Sequence, residues 1–227
     1  MVVGNGMLAK TFENYVDDKD IIIFASGVSN SGEEDDNNFL REKKLLEEYI
    51  LKGGFLVYFS SCDSIYAEKI NKKYYHHKLE MEDLIQKQCE RYNIFRIPQI
   101  IGVSENKRSL ISYFIDKVMQ DDPFDVWGNA KKNLISTEDV FKIISYTLKN
   151  GLKINSIQNI GNKYYYSLAE IIKTIEDILH KKGNYEFLDK GFTPKYDLDF
   201  SNEISSNLGI NFEENYLMDS IKKIVVE

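Results

Sequence analysis

The sequence has few of the residues that crosslink a chain or hold it in a membrane. Only two of its 227 residues are cysteines, Cys62 and Cys89, and neither lies in a CxxC pair or in a cluster with histidines. A disulfide framework and a structural zinc site are therefore not expected, and no metal is predicted. The longest apolar runs, such as residues 20–25, have the length of strands, and no basic segment followed by an apolar stretch opens the chain. A membrane span and a signal peptide are not expected either, which favours a soluble, cytoplasmic protein.

Blocks of positive charge are also missing. The chain carries 29 Lys and Arg against 36 Asp and Glu, for a formal net charge of −7. Non-specific binding to a nucleic acid is therefore not expected, whereas a small anionic ligand of nucleotide size remains compatible with this charge. A chain of this length can form one large domain, or one domain with a small appended lobe, around its own core.

Segments typical of strands and helices alternate along the chain. Apolar runs predict buried strands at residues 21–24, 55–59 and 94–97, and apolar residues at helical spacing predict helices at 10–16, 37–51, 75–91 and about 108–119. This alternation is typical of a parallel sheet with crossover helices. Beyond Pro123 the pattern predicts strands at 124–127 and 157–160 and helices at 137–149 and 167–180. We assign residues 1–122 to the α/β core and residues 123–227 mainly to a smaller lobe, with some segments returning to the core.

A glycine turn follows the first short strand. The run Gly4-Asn-Gly-Met-Leu-Ala9 matches the pattern Gly-x-Gly-x-x-Gly/Ala. Such glycines allow a tight turn and let backbone N–H groups approach a pyrophosphate, whose charge the following helix N-terminus attracts. The alternative is an ordinary turn between a strand and a helix. Its position at the first strand-to-helix junction favours a dinucleotide site formed by Gly4, Gly6, Met7 and Leu8.

A tyrosine and a lysine stand four residues apart, at Tyr74 and Lys78. This spacing puts both on one face of a helix, where an ammonium would favour the phenolate and let the tyrosine act as an acid or base. By itself the pattern also fits a solvated helix start. Small side chains, Ser60, Ser61 and Cys62, follow the strand at 55–59, where a parallel strand brings its carboxyl end to a ligand crevice.

These features occur in one order, followed by the segment 95–102, Phe-Arg-Ile-Pro-Gln-Ile-Ile-Gly. The order resembles the extended short-chain dehydrogenase/reductase superfamily, and within it the NAD-dependent epimerase/dehydratase family, whose members act on nucleotide sugars. Segments 133–140, 158–161 and 207–209 resemble later landmarks of that family. The resemblance implies a Rossmann-type, doubly wound parallel sheet, here shortened, with a small C-terminal substrate-binding lobe.

The resemblance also implies roles for particular residues. Tyr74 would be the catalytic acid/base, and Lys78 would bind the nicotinamide ribose and lower the pKa of the tyrosine. The hydroxyl position of the family falls on Cys62, beside Ser61, so either Ser61 takes that role or activity is weakened, because a thiol is a poor hydrogen-bond donor. Pro98 and Gln99 would lie near the nicotinamide and the sugar. Ala25 and Ser26 would lie near the cofactor.

The function implied is that of an NAD- or NADP-dependent enzyme of surface polysaccharide or deoxysugar synthesis, which epimerises, dehydrates or reduces a nucleotide sugar by hydride transfer. A 4-keto reductase or an epimerase is favoured, because a dehydratase would ordinarily have an acid pair near the hydroxyl residue and only Asp63 stands there. The family resemblance further implies a homodimer in which the helices at 37–51 and 75–91 pair with their symmetry mates.

One departure from the family pattern supports a second hypothesis. Between the first helix and Ile21 the family has a further strand, helix and strand, including the acidic residue that holds the adenosine ribose, and this segment is missing. Together with Cys62, this favours a shortened member that has lost catalysis and serves as a binding or regulatory subunit. His76 and His77 lie inside the Tyr-x-x-x-Lys motif but would point in different directions, so a metal pair is not expected.

Overall fold

The computed structural model describes residues 1–103, 109–213 and 215–226. Its strands are β1 (Val2–Val3), β2 (Ile21–Phe24), β3 (Phe55–Ser61), β4 (Arg91–Ile97), β5 (Gln99–Ile101), β6 (Phe124–Trp127), β7 (Lys131–Ser136), β8 (Ser156–Asn159), β9 (Tyr165–Ser167) and β10 (Tyr185–Leu188). Its helices are α1 (Met7–Thr11), α2 (Asp36–Lys52), α3 (Ala67–Ile70), α4 (Lys73–Gln88), α5 (Leu110–Gln120), α6 (Thr137–Lys149), α7 (Leu168–Leu179), α8 (Asp199–Asn207) and α9 (Tyr216–Val226).

The chain divides into two compact units. The first comprises Met1–Ile97 and Phe141–Ile160, and the second comprises Pro98–Val140 and Gly161–Glu227. The change of unit therefore falls directly after β4, earlier in the chain than the predicted boundary at residue 122. Proline lacks the backbone N–H that would continue a strand ladder, so Pro98 ends β4.

A five-stranded parallel sheet forms the centre of the first unit, in the order β1-β2-β3-β4-β8. Apolar side chains of α2 and α4, such as Leu46 and Met81, are buried together with those of the strands on one face. On the other face the Phe12 ring, just after α1, lies 5.2 Å from that of Phe59 and 5.4 Å from that of Phe141 in α6, measured between centroids. Strands covered on both faces must be apolar throughout, which explains the uninterrupted runs in β2 and β3. The prediction of a Rossmann-type parallel α/β fold is confirmed.

The order of these strands follows the chain in one direction, with β1 at the edge. Only a 3-10 turn, Glu13–Tyr15, lies between α1 and β2. Consequently β1 pairs directly with β2, and the Ala25 N–H donates to the Val3 carbonyl oxygen at 2.8 Å. Within the described residues, the other four strands of this sheet thus all lie on one side of β1. The absence of the family's strand-helix-strand segment between α1 and β2 explains this arrangement.

The second unit has its own apolar core. A three-stranded sheet in the order β5-β7-β9 and a parallel pair, β6 with β10, contribute to this unit. Side chains of α5, α7 and α9 pack with these strands around Phe114, Leu134, Ile172 and Ile221, all of them buried. The unit therefore rests on its own set of buried residues.

Several elements differ from their predicted bounds. The helix predicted at 75–91 ends at Gln88, because Cys89 adopts an extended backbone, and β4 begins at Arg91. The helix predicted at 10–16 is the shorter α1 followed by the 3-10 turn. Strands β5, β7, β9 and β10 and helices α3, α8 and α9 were not predicted, and the predicted helix start at Arg108 lies outside the described residues. None of the helices in the described ranges is long and apolar enough to cross a membrane.

Candidate active site

The glycine turn connects β1 to α1. Gly4 has φ +121°, and a Cβ there would lie 2.4 Å from the Ala25 carbonyl oxygen, so the backbone of the turn approaches the end of β2 closely. Gly6 is the N-cap of α1, where no side chain caps the helix, and a Cβ at Gly6 would meet no atom within 4 Å. Met7 and Leu8 follow in the first turn of α1 and are half-buried. The space that a side chain at Gly6 would occupy is therefore open.

The loop after β2 is held by side chains of α2 and α4. Its first residues, Ala25 and Ser26, are half-buried. Arg41 of α2 donates to the Ser26 hydroxyl oxygen at 3.1 Å and to the Ser26 carbonyl oxygen at 2.9 Å. The backbone N–H of Val28 donates to Glu42 Oε2 at 2.6 Å. The loop that the resemblance places near the cofactor is therefore fixed by two residues that the sequence analysis did not select, Arg41 and Glu42.

Tyr74 and Lys78 lie on neighbouring turns of α4, as their spacing predicts. Lys78 Nζ stands 5.6 Å from the centroid of the Tyr74 ring. The Lys78 side chain is almost entirely buried, and its ammonium donates to Glu42 Oε1 at 3.0 Å and to the Tyr58 hydroxyl oxygen at 3.1 Å. The structure thus brings the predicted pair together, with a buried carboxylate beside it.

Glu42 has unusual surroundings for an acidic residue. It is fully buried, and the Tyr58 hydroxyl donates to its Oε1 at 2.6 Å. His77 Nε2 stands 3.1 Å from Glu42 Oε2, without the alignment of a hydrogen bond. Burial alone raises the pKa of the Glu42 carboxyl, but Lys78, His77 and Tyr58 together outweigh burial and hold this pKa well below its ordinary value. Glu42 is therefore a buried carboxylate paired with a buried ammonium.

The pKa of Tyr74 moves in the direction opposite to the one expected. Burial, and next to it the negative charge of Glu42, raise the pKa of the Tyr74 phenol well above its ordinary value. The prediction considered only Lys78, whereas in the structure Glu42 balances the ammonium charge. In this arrangement Tyr74 keeps its proton.

The hydroxyl position stands where β3 ends. Ser61 is half-buried, and its hydroxyl oxygen accepts the Asp63 N–H at 3.2 Å at the start of a 3-10 turn, Cys62–Tyr66. Cys62 is fully buried, its thiol donates to the Arg96 carbonyl oxygen at 3.2 Å, and burial raises the pKa of this thiol well above its ordinary value. A neutral, buried thiol engaged with a backbone carbonyl favours Ser61 as the hydroxyl of the site.

Four further residues that the sequence analysis considered are Pro98, Gln99, His76 and His77. Pro98 and Gln99 are the first residues of the second unit, and both are half-buried. Their proximity to a nicotinamide or a sugar stays a prediction. His76 is exposed and His77 is buried, in agreement with the expectation that the two point in different directions. Within the described ranges, no three His, Cys, Asp or Glu side chains are grouped so that they could hold a metal ion.

A signal for Glu42 is present in the sequence. The buried residues of α2 are Phe39, Glu42, Leu46 and Ile50, which follow the three- and four-residue spacing of one helix face. An acidic residue on the apolar face of a helix requires a buried partner, so its position alone indicates a polar cluster. Arg41 carries no comparable signal, since its partner Ser26 is known only from the fold.

A parallel α/β unit with a glycine turn after its first strand and a Tyr-x-x-x-Lys pair defines a dinucleotide-dependent class of protein. The sequence model of the NAD dependent epimerase/dehydratase family matches residues 9–161, which is more than half of the chain. The chain therefore belongs to this family. The predicted family is confirmed, and the cofactor that the family's description names is NAD.

Solved structures agree with this assignment. RMD from Pseudomonas aeruginosa, complexed with NADPH, is 15% identical over 99% of this chain and 97% of its own, with a TM-score of 0.74. UDP-glucuronic acid 4-epimerase from Bacillus cereus, in complex with NAD, is 19% identical over 92% of this chain and 74% of its own, with a TM-score of 0.69. UDP-N-acetylglucosamine 4-epimerase from Bacillus cereus is 19% identical over 96% of this chain and 80% of its own, with a TM-score of 0.67. At these identities the likeness shows the fold. No curated protein sequence matches the chain.

Proposed function

We propose that this protein is an NAD- or NADP-dependent enzyme that modifies a nucleotide sugar. The observation that carries this proposal is the position of Tyr74 beside Lys78 on α4. Lys78 Nζ also lies so near the Gly27 backbone that a Cβ on Gly27 would come within 2.7 Å of it. The lysine thus reaches the backbone of the loop after β2, at the carboxyl end of the parallel strands, where α/β folds of this kind bind ligands. The neighbours in complex with NADPH and with NAD support the cofactor.

The residues present fit the diphosphate part of a dinucleotide. Gly4 lets the turn pack closely against the end of β2, Gly6 leaves space in which the backbone can come close to a ligand, and the first turn of α1, with Met7 and Leu8, offers its N–H groups to a negative charge. Ala25 and Ser26 would border the cofactor, and Lys78 would hold the nicotinamide ribose. A bound nicotinamide would supply the hydride donor of a keto-reduction, or the hydride acceptor and donor of an epimerisation. The contact to the adenosine ribose has to come from other residues, since the segment that carries the family's acidic residue is missing.

A dehydratase would ordinarily have an acid pair near the hydroxyl residue, and only Asp63 stands there, which favours keto-reduction or epimerisation. In either reaction Tyr74 would exchange a proton with the sugar oxygen, and its neutral phenol would donate that proton to a carbonyl oxygen. Ser61 would donate a hydrogen bond to the same oxygen, and Gln99 would contact the sugar. The reverse step, in which a hydroxyl is oxidised, requires Tyr74 to accept the proton back. We therefore favour a 4-keto reductase or an epimerase.

Replacing the Tyr74 hydroxyl tests this function. We expect Tyr74→Phe to lower turnover of a nucleotide sugar, or of its 4-keto form, by about 10²- to 10⁴-fold, because positioned proton transfer contributes that much. Cofactor affinity should stay the same, and the measurement is NADH or NADPH absorbance with a panel of nucleotide sugars. The matched control is Tyr75→Phe, since the Tyr75 ring lies 5.1 Å from that of Tyr74. Unchanged turnover in Tyr74→Phe would reject the proposal.

A second candidate is a non-catalytic binding or regulatory subunit. The short connection between α1 and β2 and the buried thiol of Cys62 favour it. A thermal shift of the wild-type protein with NAD and NADP, oxidised and reduced, separates the two candidates. At a hundredfold excess over the dissociation constant, binding adds about 2.7 kcal/mol to the free energy of unfolding. A cooperative transition that no form of the cofactor shifts would favour the regulatory subunit.

The setting of the activity is part of the proposal. We place the enzyme in the synthesis of a surface polysaccharide or a deoxysugar, in the cytoplasm, as a homodimer that forms through α2 and α4. Two large apolar side chains of α2 support the dimer, since Leu40 is 48% and Leu51 87% exposed. Leu40 and Leu51 stand about three helical turns apart and therefore share one face of α2, as a surface covered by a partner helix would require.

A further inference from the structure

The buried carboxylate of Glu42 binds several polar groups of the first unit close to Lys78. Glu42 comes from α2, Tyr58 from β3 and Lys78 from α4. Both Tyr58 and Lys78 donate to Glu42 Oε1, at 2.6 and 3.0 Å, and Lys78 also donates to Tyr58 at 3.1 Å. Three elements thus meet in a closed triangle of hydrogen bonds.

The second oxygen of the same carboxylate holds the loop after β2. Glu42 Oε2 accepts the Val28 N–H at 2.6 Å. A Cβ at the preceding residue, Gly27, would lie 2.7 Å from Lys78 Nζ and 3.0 Å from Glu42 Oε1. Backbone, carboxylate and ammonium are therefore in contact, and no side chain fits between them.

Stability alone does not explain the buried ion pair of Glu42 and Lys78. Taking a carboxylate and an ammonium out of water costs several kcal/mol each, and well-packed apolar side chains of similar volume often replace a buried ion pair without loss. Glu42 is fully buried and the Lys78 side chain is 3% exposed, so water screens neither charge. The pair fixes one position for the ammonium, which an apolar pair would not do.

We propose that Glu42 is the positioning residue of this site: its carboxylate fixes the Lys78 ammonium, the Tyr58 hydroxyl and the Val28 backbone as one buried unit. The inference rests on the proposed function in one respect, namely that Lys78 holds the nicotinamide ribose. Glu42 itself contacts neither substrate nor cofactor in this proposal. It acts through Lys78 and through the loop that Gly27 and Val28 form.

The same carboxylate influences Tyr74. With Glu42 ionised, the charge of Lys78 is balanced and the phenol keeps its proton. The titratable groups that face Tyr74 come from α2, β3, the 3-10 turn after β3, and α4; they are Glu42, Tyr58, Asp63, Tyr75 and Lys78. Without the carboxylate charge, Lys78 would be the unbalanced charge of this group, and the pKa of Tyr74 would fall.

The test compares Glu42→Gln with Glu48→Gln, an exposed glutamate of the same helix. The amide keeps the shape and can accept the Val28 N–H, but it no longer binds the ammonium as a charge. We expect acylation of Lys78, followed by mass spectrometry of the folded protein, to become about tenfold faster, because a neutral amide holds the Lys78 nitrogen less tightly than the carboxylate does. The dissociation constant of NAD or NADP should rise by about tenfold. Glu48→Gln should change neither, and circular dichroism checks that the variants fold.

A pH profile provides a readout that a purely structural role would not move. In Glu42→Gln the pH dependence of turnover that reports Tyr74 should shift to lower pH, by about one unit if the lost interaction is worth a tenfold change. If Glu42→Gln does not fold, Glu42→Asp replaces it, since the shorter side chain keeps the charge and withdraws it from Lys78. The same changes, smaller in size, are then expected.

The outcomes separate the two proposals. Lys78 acylation and cofactor affinity that both stay within twofold of wild type in Glu42→Gln or Glu42→Asp would overturn the role of Glu42. A wild-type protein that binds neither cofactor, while Glu42→Gln still accelerates acylation of Lys78, would reject the proposed function and retain Glu42 as the residue that positions the lysine. A wild-type protein that binds neither cofactor, together with a Glu42→Gln variant in which acylation of Lys78 is not accelerated, would reject both proposals.

Discussion

At the scale of single residues, backbone geometry separates one glycine from the others near the site. Gly4 has φ +121°, a conformation that L-residues rarely adopt, and the Ala25 carbonyl oxygen occupies the space of a Cβ. Gly6 has φ −76°, which any residue can adopt. The glycine that the fold requires is therefore Gly4, whereas Gly6 leaves space for a ligand.

We expect Gly4→Ala to lower the free energy of unfolding by about 1–3 kcal/mol, which is the cost of holding a non-glycine residue in such a conformation. Gly32→Ala is the control, because Gly32 is exposed and a Cβ there would approach only Asn30 Oδ1, at 3.5 Å. Urea unfolding of the two variants measures the difference. Equal effects would show that the contact at Ala25 carries no strain.

The sequence predicted the residues of the site whose spacing is local. The glycine turn and the Tyr74 to Lys78 spacing can be read within one segment of the chain. The hydrogen bonds of Glu42 could not, because its partners come from β3 and α4, far along the chain. The direction of the Tyr74 pKa was wrong for the same reason: it depends on a charge from another helix.

At the scale of elements, long segments with a clear period were predicted and short paired ones were not. The helix at 137–149 has the predicted bounds of α6, and the strand at 21–24 those of β2. Strands β5 and β9 have three residues each and are defined by their pairing with β7, which no local pattern reveals. Helix α8, Asp199–Asn207, is polar and short, so its residues also read as a loop.

Helix α7 begins with a capping box. The Ser167 hydroxyl oxygen accepts the Glu170 N–H at 3.1 Å, and the Ser167 N–H and hydroxyl both donate to Glu170 Oε2 at 2.6 Å. The hydroxyl of Ser167 lowers the pKa of the Glu170 carboxyl. A lowered carboxyl pKa adds stability above the unfolded value, and this stability is lost as the pH falls through the folded value.

We therefore expect Ser167→Ala to cost about 1 kcal/mol at neutral pH and less than that at an acid pH at which Glu170 is protonated in the wild type as well. Ser109→Ala is the matched control, because Ser109 caps α5 through the Ser112 N–H, and the residue in the place of Glu170 is a serine. Its cost should not depend on pH in this way. Urea unfolding at both pH values gives the comparison, and a Ser167→Ala cost that is the same at both would contradict the prediction.

At the scale of the whole molecule, the parallel core was predicted from the alternation of strands and helices, while the return of the chain was only outlined. Residues 141–160 join the first unit, where β8 pairs with β4. A crossover of this length needs contacts between distant segments, and a single sequence does not show which strand a late segment joins. The strand pairs of the second unit could not be predicted for the same reason, since its strands are short and lie far apart along the chain.

The proposed dimer belongs to this scale. We expect light scattering to give twice the 26.4 kDa mass of one chain. Leu40→Glu together with Leu51→Glu should give the single mass, because charges would have to be buried between the paired helices. Val16→Glu, at an apolar residue that is 58% exposed outside α2 and α4, should leave the mass doubled. A wild-type protein with the mass of one chain would rule out the dimer.

The different surroundings of the two thiols determine what cysteine labelling reports in this protein. Cys62 is sealed at the end of β3, while Cys89 is half-buried just after α4. An alkylating reagent used on the native protein would therefore mark Cys89 first. Alkylation of Cys62 would require the structure around β3 to open. The rate of this reaction would therefore measure how often the first unit opens.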